Sequence, residues 1–307
     1  MERALRNRLL FGTVMLAALA GVLWLDWAFE SWTRDWMNRR YGLAHGVGGL
    51  GLAIMLAIIT PLAIRELAQI FAVEHVKPYQ FISGVGSASL LFHALLTQFP
   101  PFKPVAASTL AFVVVFVMLL AALRRAWERA TQEAIVAMAG TVLATLYLGG
   151  LGWFLMALRV KQGAISGFEG STSKIVMILL AVKFTDIGAY FGGRAFGRTK
   201  LIPWLSPGKT WEGLAGAILF STAASLAFAH FAGHRLPGMT WLHATLLGML
   251  LSTAAVVGDL IESLFKREAG VKDSGRFLPG IGGMLDLLDS VLFNAPLMYL
   301  YLRHILS

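Results

Sequence analysis

Apolar residues fall in long unbroken runs, and polar residues gather in the gaps between them. The runs recur at roughly 9–28, 43–64, 80–97, 105–123, 134–158, 174–193, 212–232, 241–262 and 287–306. Most approach the length of about 20 residues that a helix needs to cross a bilayer. The pattern predicts an all-α, polytopic integral membrane protein with about nine transmembrane helices. The FPPFKP break at 99–104 predicts a tight joint between two short helices. The first run follows a basic start and has no small-residue cleavage pattern behind it, so it reads as a helix rather than a signal peptide. Residues 29–42, with Trp32, Trp36 and Tyr41, read as an interfacial segment with an aromatic belt. No internal repeat, low-complexity tract or soluble domain interrupts this series.

Composition supports the same class. The chain is 57% hydrophobic and 14% charged, against roughly 25% charged in soluble domains. Its net charge of +9 sits in short loops, which points to membrane topology and anionic lipid rather than to nucleic acid. Cysteine is absent, which excludes disulfides and thiolate chemistry. With nine spans, one side of the membrane receives sixteen Lys and Arg residues and the other eight. The richer side is expected in the cytoplasm. The loops at 194–211 and 263–286 both fall on that side. They divide the chain into a less informative N-terminal half, 1–133, and a C-terminal region, 134–307, that carries the polar chemistry.

The densest charge lies at 259–290, DLIESLFKREAGVKDSGRFLPGIGGMLDLLDS. Asp259, Glu262, Ser263 and Lys266 are spaced to share one helix face, and Asp286 and Asp289 share a face where the next helix begins. Between them LPGIGG, with Gly282 and Gly283, forms a turn whose backbone can approach a phosphate closely. Two carboxylate pairs across a glycine turn suit one or two hard divalent cations. Mg2+ prefers a few carboxylates plus substrate phosphates. Lys266, Arg267, Lys272 and Arg276 suit a polyphosphate. Charges at the ends of membrane helices are costly and are functional candidates by default.

A second polar stretch, 181–213, reads AVKFTDIGAYFGGRAFGRTKLIPWLSPGKTWEG. Asp186 lies inside an apolar run with Lys183 three residues before it, so the two are placed to pair. Gly192 and Gly193 read as helix-packing residues. Ser206 reads as the N-cap of the next helix with Pro207 in its first turn. Lys209 and Thr210 at that helix start favour an anionic ligand. The GKT is not a P-loop, because the earlier spaced glycine and a preceding strand are not evident. Glu66, after the second run, reads as an end-of-helix acid paired with Arg65.

Two segments carry a resemblance to a known family. SLFKREAGVKDSGRFLPGIGGMLDLLD, Ser263 to Asp289, and DIGAYFGGRAFGRTKLIPWLSPGKTWEG, Asp186 to Gly213, resemble the phosphatidate cytidylyltransferase family. The chain departs from the family pattern at Ile281, where His is usual, and at Leu287, where Arg is usual. The resemblance implies transfer of CMP from CTP to phosphatidic acid, giving CDP-diacylglycerol and pyrophosphate, with Mg2+ and room for a second monovalent or divalent cation. It implies Asp259, Asp286 and Asp289 as metal ligands. Lys266, Lys272 and Asp273 join them in the catalytic set. Asp186, Ser206, Lys209, Thr210, Glu262, Ser263, Arg267, Arg276, Gly282 and Gly283 are implied around the substrates. The implied partners are CTP, phosphatidic acid and membrane lipids, with no nucleic acid; a homodimer is compatible. Three other readings remain open on the residues: a relative acting on another lipid phosphate, a non-catalytic member suggested by Ile281 and Leu287, and an ion-coupled transporter using Lys183 and Asp186 as a proton relay. The last predicts broken helices at matching places in two halves, which the sequence does not display.

Overall fold

The computed structural model describes residues 2–129, 131–160, 171–232, 236, 238–271, 274–275 and 283–306, with residues 2–11 described by their backbone alone. Among these, eight helices are long and apolar enough to cross a membrane, and Gln80–Leu96 is a shorter apolar helix. The protein is thus an all-α polytopic membrane protein. The first helix, α1 (Glu2–Tyr41), runs on through the stretch expected to be a separate interfacial segment. The prolines at 100, 101 and 104 make a 3-10 turn, Pro100–Val105, at the expected joint, but the helix after it, Ala106–Trp127, is long rather than short.

The chain divides into two compact units: Met1–Gly170 with Asp273–Asp286, and Ser171–Lys272 with Leu287–Ser307. The expected boundary at 133/134 falls inside the first unit, at the start of helix Ala134–Thr145.

In the first unit α1 is followed by α2 (Leu50–Val73), α3 (Gln80–Leu96), α4 (Ala106–Trp127), α5 (Ala134–Thr145) and α6 (Leu151–Arg159), with a π turn, Leu146–Gly150, between the last two. Lipid tails give helices little hydrophobic reason to associate, so small residues and hydrogen bonds must hold them. They do so here. Ser83 Oγ donates to Thr141 O at 3.1 Å, and the Tyr79 N–H donates to Thr141 Oγ1 at 2.9 Å. A Cβ on Gly149 would stand 2.8 Å from Ser87 Cβ, so only glycine admits that crossing. Arg159, 1% exposed, ion-pairs with Asp26 and, at 2.8 Å, with Glu30. Asp26 also accepts from the Gly51 N–H at 3.1 Å. Charges this deep are tolerable only when paired and hydrogen-bonded.

Glu66 departs from expectation. Arg65 is exposed, whereas Glu66 is buried. Its Oε2 accepts from the Leu285 N–H at 2.9 Å, and Ser274 Oγ stands 3.5 Å away. Sequence distance hid this, because the partners lie some two hundred positions downstream.

The second unit holds α7 (Thr172–Phe196), a short hairpin of β1 (Lys200–Ile202) and β2 (Ser206–Thr210), α8 (Trp211–Ala232), α9 (Trp241–Glu268) and most of α10 (Leu285–Tyr301). Helices α7 and α8 pack through glycines: a Cβ on Gly216 would lie 2.5 Å from Gly188 O, and one on Gly192 would lie 2.8 Å from Glu212 O. Gly192 therefore serves packing, as its spacing suggested. Ser225 Oγ donates to Ala244 O at 2.7 Å, and Ser221 Oγ to Gly248 O at 3.1 Å, tying α8 to α9.

Candidate functional site

The loop after α7 does not open a helix at Ser206. The chain instead pairs antiparallel, with Lys200 opposite Thr210 and Ile202 opposite Ser206. Pro203–Leu205 form the turn, and Pro207 is tolerated because both strands are edges. Ser206 is thus a strand residue. The capping role passes to Thr210, whose Oγ1 accepts from the Gly213 N–H at 3.1 Å, the third position of α8. Glu212, in the first turn, accepts from the Arg198 and Thr199 N–H groups at 3.1 Å each. The hairpin is therefore fixed at both ends to the start of α8. Sequence reasoning took SPGKT for a helix start because Ser-Pro is a common N-cap signal; the cap lies four residues later.

That hairpin aims Lys209 at α9. Lys209 Nζ lies 2.8 Å from Asp259 Oδ2 and 3.4 Å from Val256 O. One turn along, Lys266 Nζ contacts Glu262 Oε2 at 2.8 Å. Asp259, Glu262 and Asp289 each offer a carboxylate oxygen such that all three lie within 4.8 Å of one another. Asp259 is half-buried, and the other two are buried. Ser263 Oγ stands 3.4 Å from Asp259 Oδ1. Asp289 accepts from the Ser290 N–H.

The closeness of Asp289 to α9 has a residue behind it that sequence reasoning did not single out. A Cβ on Gly258 would stand 3.0 Å from Phe293 Cβ and 3.1 Å from Asp289 O. Its absence lets α10 lie almost on the α9 backbone. Ser290 Oγ, donating to Ala255 O at 3.3 Å, holds the contact one turn back. A glycine directly before Asp259 was the available signal.

Asp186 pairs with Lys183 at 3.8 Å, but both side chains are open, 61% and 65% exposed, rather than a buried relay. Asp186 is near enough to Asp259 and Lys209 to feel both charges. Arg267 is turned to the hairpin, with Nε 3.4 Å from Leu205 O and a guanidinium nitrogen 3.3 Å from Val271 O. Asp286, expected among the metal ligands, accepts from the Gly283 N–H at 2.7 Å at the start of α10. Glu262, expected beside the substrates, is the third acid of the carboxylate trio. Lys272, Asp273, Arg276, Ile281 and Gly282 lie outside the described residues.

Chemically, three ionised carboxylates held this close repel one another by on the order of 3 kcal/mol per pair at an effective dielectric of about 20. Two lysines offset part of that repulsion. All the donors are hard oxygens, the set a small divalent cation favours.

Residues 37–305 match the cytidylyltransferase family. The chain is 42% identical over 143 residues to phosphatidate cytidylyltransferase of Haemophilus influenzae, covering 46% of this chain and 49% of that protein. It is 31% identical over 279 residues to phosphatidate cytidylyltransferase of Synechocystis, covering 83% of this chain and 89% of that protein. It is also 35% identical over 159 residues to the uncharacterized protein YnbB of Escherichia coli, covering 50% of this chain and 52% of that protein. The matched part thus spans about half the length of the Haemophilus and Escherichia relatives. The family match takes in α2 through α10, the hairpin and the carboxylate trio; the chain belongs to the cytidylyltransferase family.

Proposed function

We propose that the protein transfers CMP from CTP to phosphatidic acid, giving CDP-diacylglycerol and pyrophosphate, with its site facing the cytoplasm of a bacterial inner membrane. The observation that carries this reading is the trio of Asp259, Glu262 and Asp289 flanked by Lys209 and Lys266. It lies within the segment that matches the family.

A phosphate monoester is already an anionic nucleophile, so no strong base is needed. Its oxygen attacks the α-phosphorus of CTP, a new P–O bond forms, and the bond to the β-phosphate oxygen breaks in line. The difficulty is bringing two anions together. Asp259, Glu262 and Asp289 would hold Mg2+, whose chemistry is to screen and polarise phosphate oxygens. The donor set fits that ion: oxygen-only, with the trio's charge only partly offset by two lysines. Lys209 and Lys266 are placed to exchange their carboxylate partners for phosphate oxygens. Asp259, Ser263 and Lys266 keep to one face of α9, and Lys209 comes from the hairpin, so the two polar segments meet at Asp259.

The test is incorporation of labelled CMP from CTP into phosphatidic acid by purified protein in mixed micelles with Mg2+. The proposal expects a CDP-lipid and one pyrophosphate per turnover, both abolished by Asp289→Asn. Turnover only with a different lipid phosphate would replace the acceptor. No CTP-dependent product with any lipid phosphate would overturn the reading.

A further inference from the structure

Glu66 is a buried acid, on the opposite half of the chain from the carboxylate trio, and the mechanism above does not use it. It stands on α2, 8% exposed, in the apolar body of the first unit. Its described hydrogen-bond partners come from one stretch of chain. The Leu285 N–H donates to Glu66 Oε2 at 2.9 Å, and Ser274 Oγ lies 3.5 Å from the same oxygen. Two glycines close the ring. A Cβ on Gly275 would stand 2.7 Å from Glu66 Cδ, and one on Gly283 would stand 2.6 Å from Glu66 Oε2 and 2.8 Å from Gly275 N. The chain therefore leaves this carboxylate at Ser274–Gly275 and returns to it at Gly283–Leu285.

We propose that Glu66 is a positioning residue that clasps both ends of the 274–285 segment and sets the start of the helix carrying Asp289. The chemistry of the clasp is consistent in each part. The first N–H groups of a helix have no partner within it, and a carboxylate there satisfies one of them and meets the positive end of the helix dipole. A carboxylate buried among membrane helices is expensive unless it is used in this way. A side chain at 275 or 283 would take space that the carboxylate now fills, so the carboxylate would have to move. Asp286 adds to the same structure by accepting from the Gly283 N–H at 2.7 Å, so the return of the chain is held by two acids rather than one. Asp289 follows Leu285 by one turn of α10. An error at Leu285 passes along a rigid helical turn to a group of the carboxylate trio.

The catalytic consequence rests on the function proposed above, but the clasp itself does not, and the experiment separates them. Backbone hydrogen exchange at Leu285 reports the clasp directly, and turnover reports its consequence. In Glu66→Ala, exchange at Leu285 should rise about 10–100-fold, the loss expected for a hydrogen bond to a charged acceptor. The kcat of the folded fraction should fall about 30-fold or more, with KM for CTP little changed, since displacement rather than lost binding is the cause. Glu66→Gln keeps an acceptor oxygen of the same reach and should restore most of both. The double variant discriminates further. Gly275→Ala alone should lower kcat about tenfold through overpacking against the carboxylate. In the Glu66→Ala background, where that space is vacated, it should cost less than about twofold. Should Glu66→Ala fail to fold, Gly275→Ala and Glu66→Gln carry the test. Unchanged exchange and kcat in Gly275→Ala would overturn the proposal. So would a Glu66→Ala protein that is merely less heat-stable while its folded fraction keeps wild-type kcat. If the wild type shows no turnover, the function proposal fails and the exchange measurements still decide the clasp.

Discussion

Replacing Gly258 should impair turnover in proportion to the volume added, although the residue bears no functional group. Its built Cβ would sit 3.0 Å from Phe293 Cβ and 3.1 Å from Asp289 O. Carbon pairs settle at about 3.5–4.0 Å, so even alanine asks α9 and α10 to give by a few tenths of an ångström, and valine by more. Overpacking of this kind costs about 1–3 kcal/mol of stability. The functional cost should be larger, because Asp259 and Asp289 sit on the two faces being separated and a displacement of about 1 Å can reduce a rate about 100-fold. Gly258→Ala should lower kcat about tenfold, and Gly258→Val about 100-fold, in the CMP-incorporation assay. Gly84 is the control, since a Cβ there meets nothing within 4 Å; Gly84→Ala should leave kcat unchanged. A folded Gly258→Val protein with wild-type kcat would refute the claim that close helix approach builds the site.

Other expectations follow from individual contacts. Lys209→Met removes the cation 2.8 Å from Asp259 and should lower kcat/KM for CTP about 10–100-fold, the range for a charge-assisted hydrogen bond, read by initial rates at varied CTP. Arg159→Met leaves buried Asp26 and half-buried Glu30 without their shared guanidinium. It should destabilise the protein by about 3–5 kcal/mol, seen as a lowered melting temperature in detergent. Thr210→Val removes the acceptor for the Gly213 N–H and should cost about 1 kcal/mol, read the same way.

The membrane helices were legible because lipid imposes a simple rule on composition, one that holds residue by residue. Runs at 212–232 and 241–262 accordingly reappear as Trp211–Ala232 and within Trp241–Glu268. The charged groups on α9 were legible for a similar reason: Asp259, Glu262 and Lys266 share a face by helix geometry alone. What failed to show were features decided by contact. Asp286 and Asp289 share a face by spacing, but spacing alone does not show that Asp286 accepts from the Gly283 N–H or that Glu262 joins Asp259 and Asp289. SPGKT satisfies helix-start rules, but pairing with Lys200–Ile202 prevails. Glu66 next to Arg65 looked like a local pair, because nothing in a single sequence points from position 66 to Leu285.

The account stands on the trio of Asp259, Glu262 and Asp289 holding a divalent cation with CTP. Mn2+ binding to the purified protein, followed by electron paramagnetic resonance with and without CTP, tests it most directly. The account predicts bound Mn2+ that increases with CTP and is lost in both Asp259→Asn and Asp289→Asn. Equal Mn2+ binding by the wild type and both variants, or full turnover in the presence of excess EDTA, would contradict it.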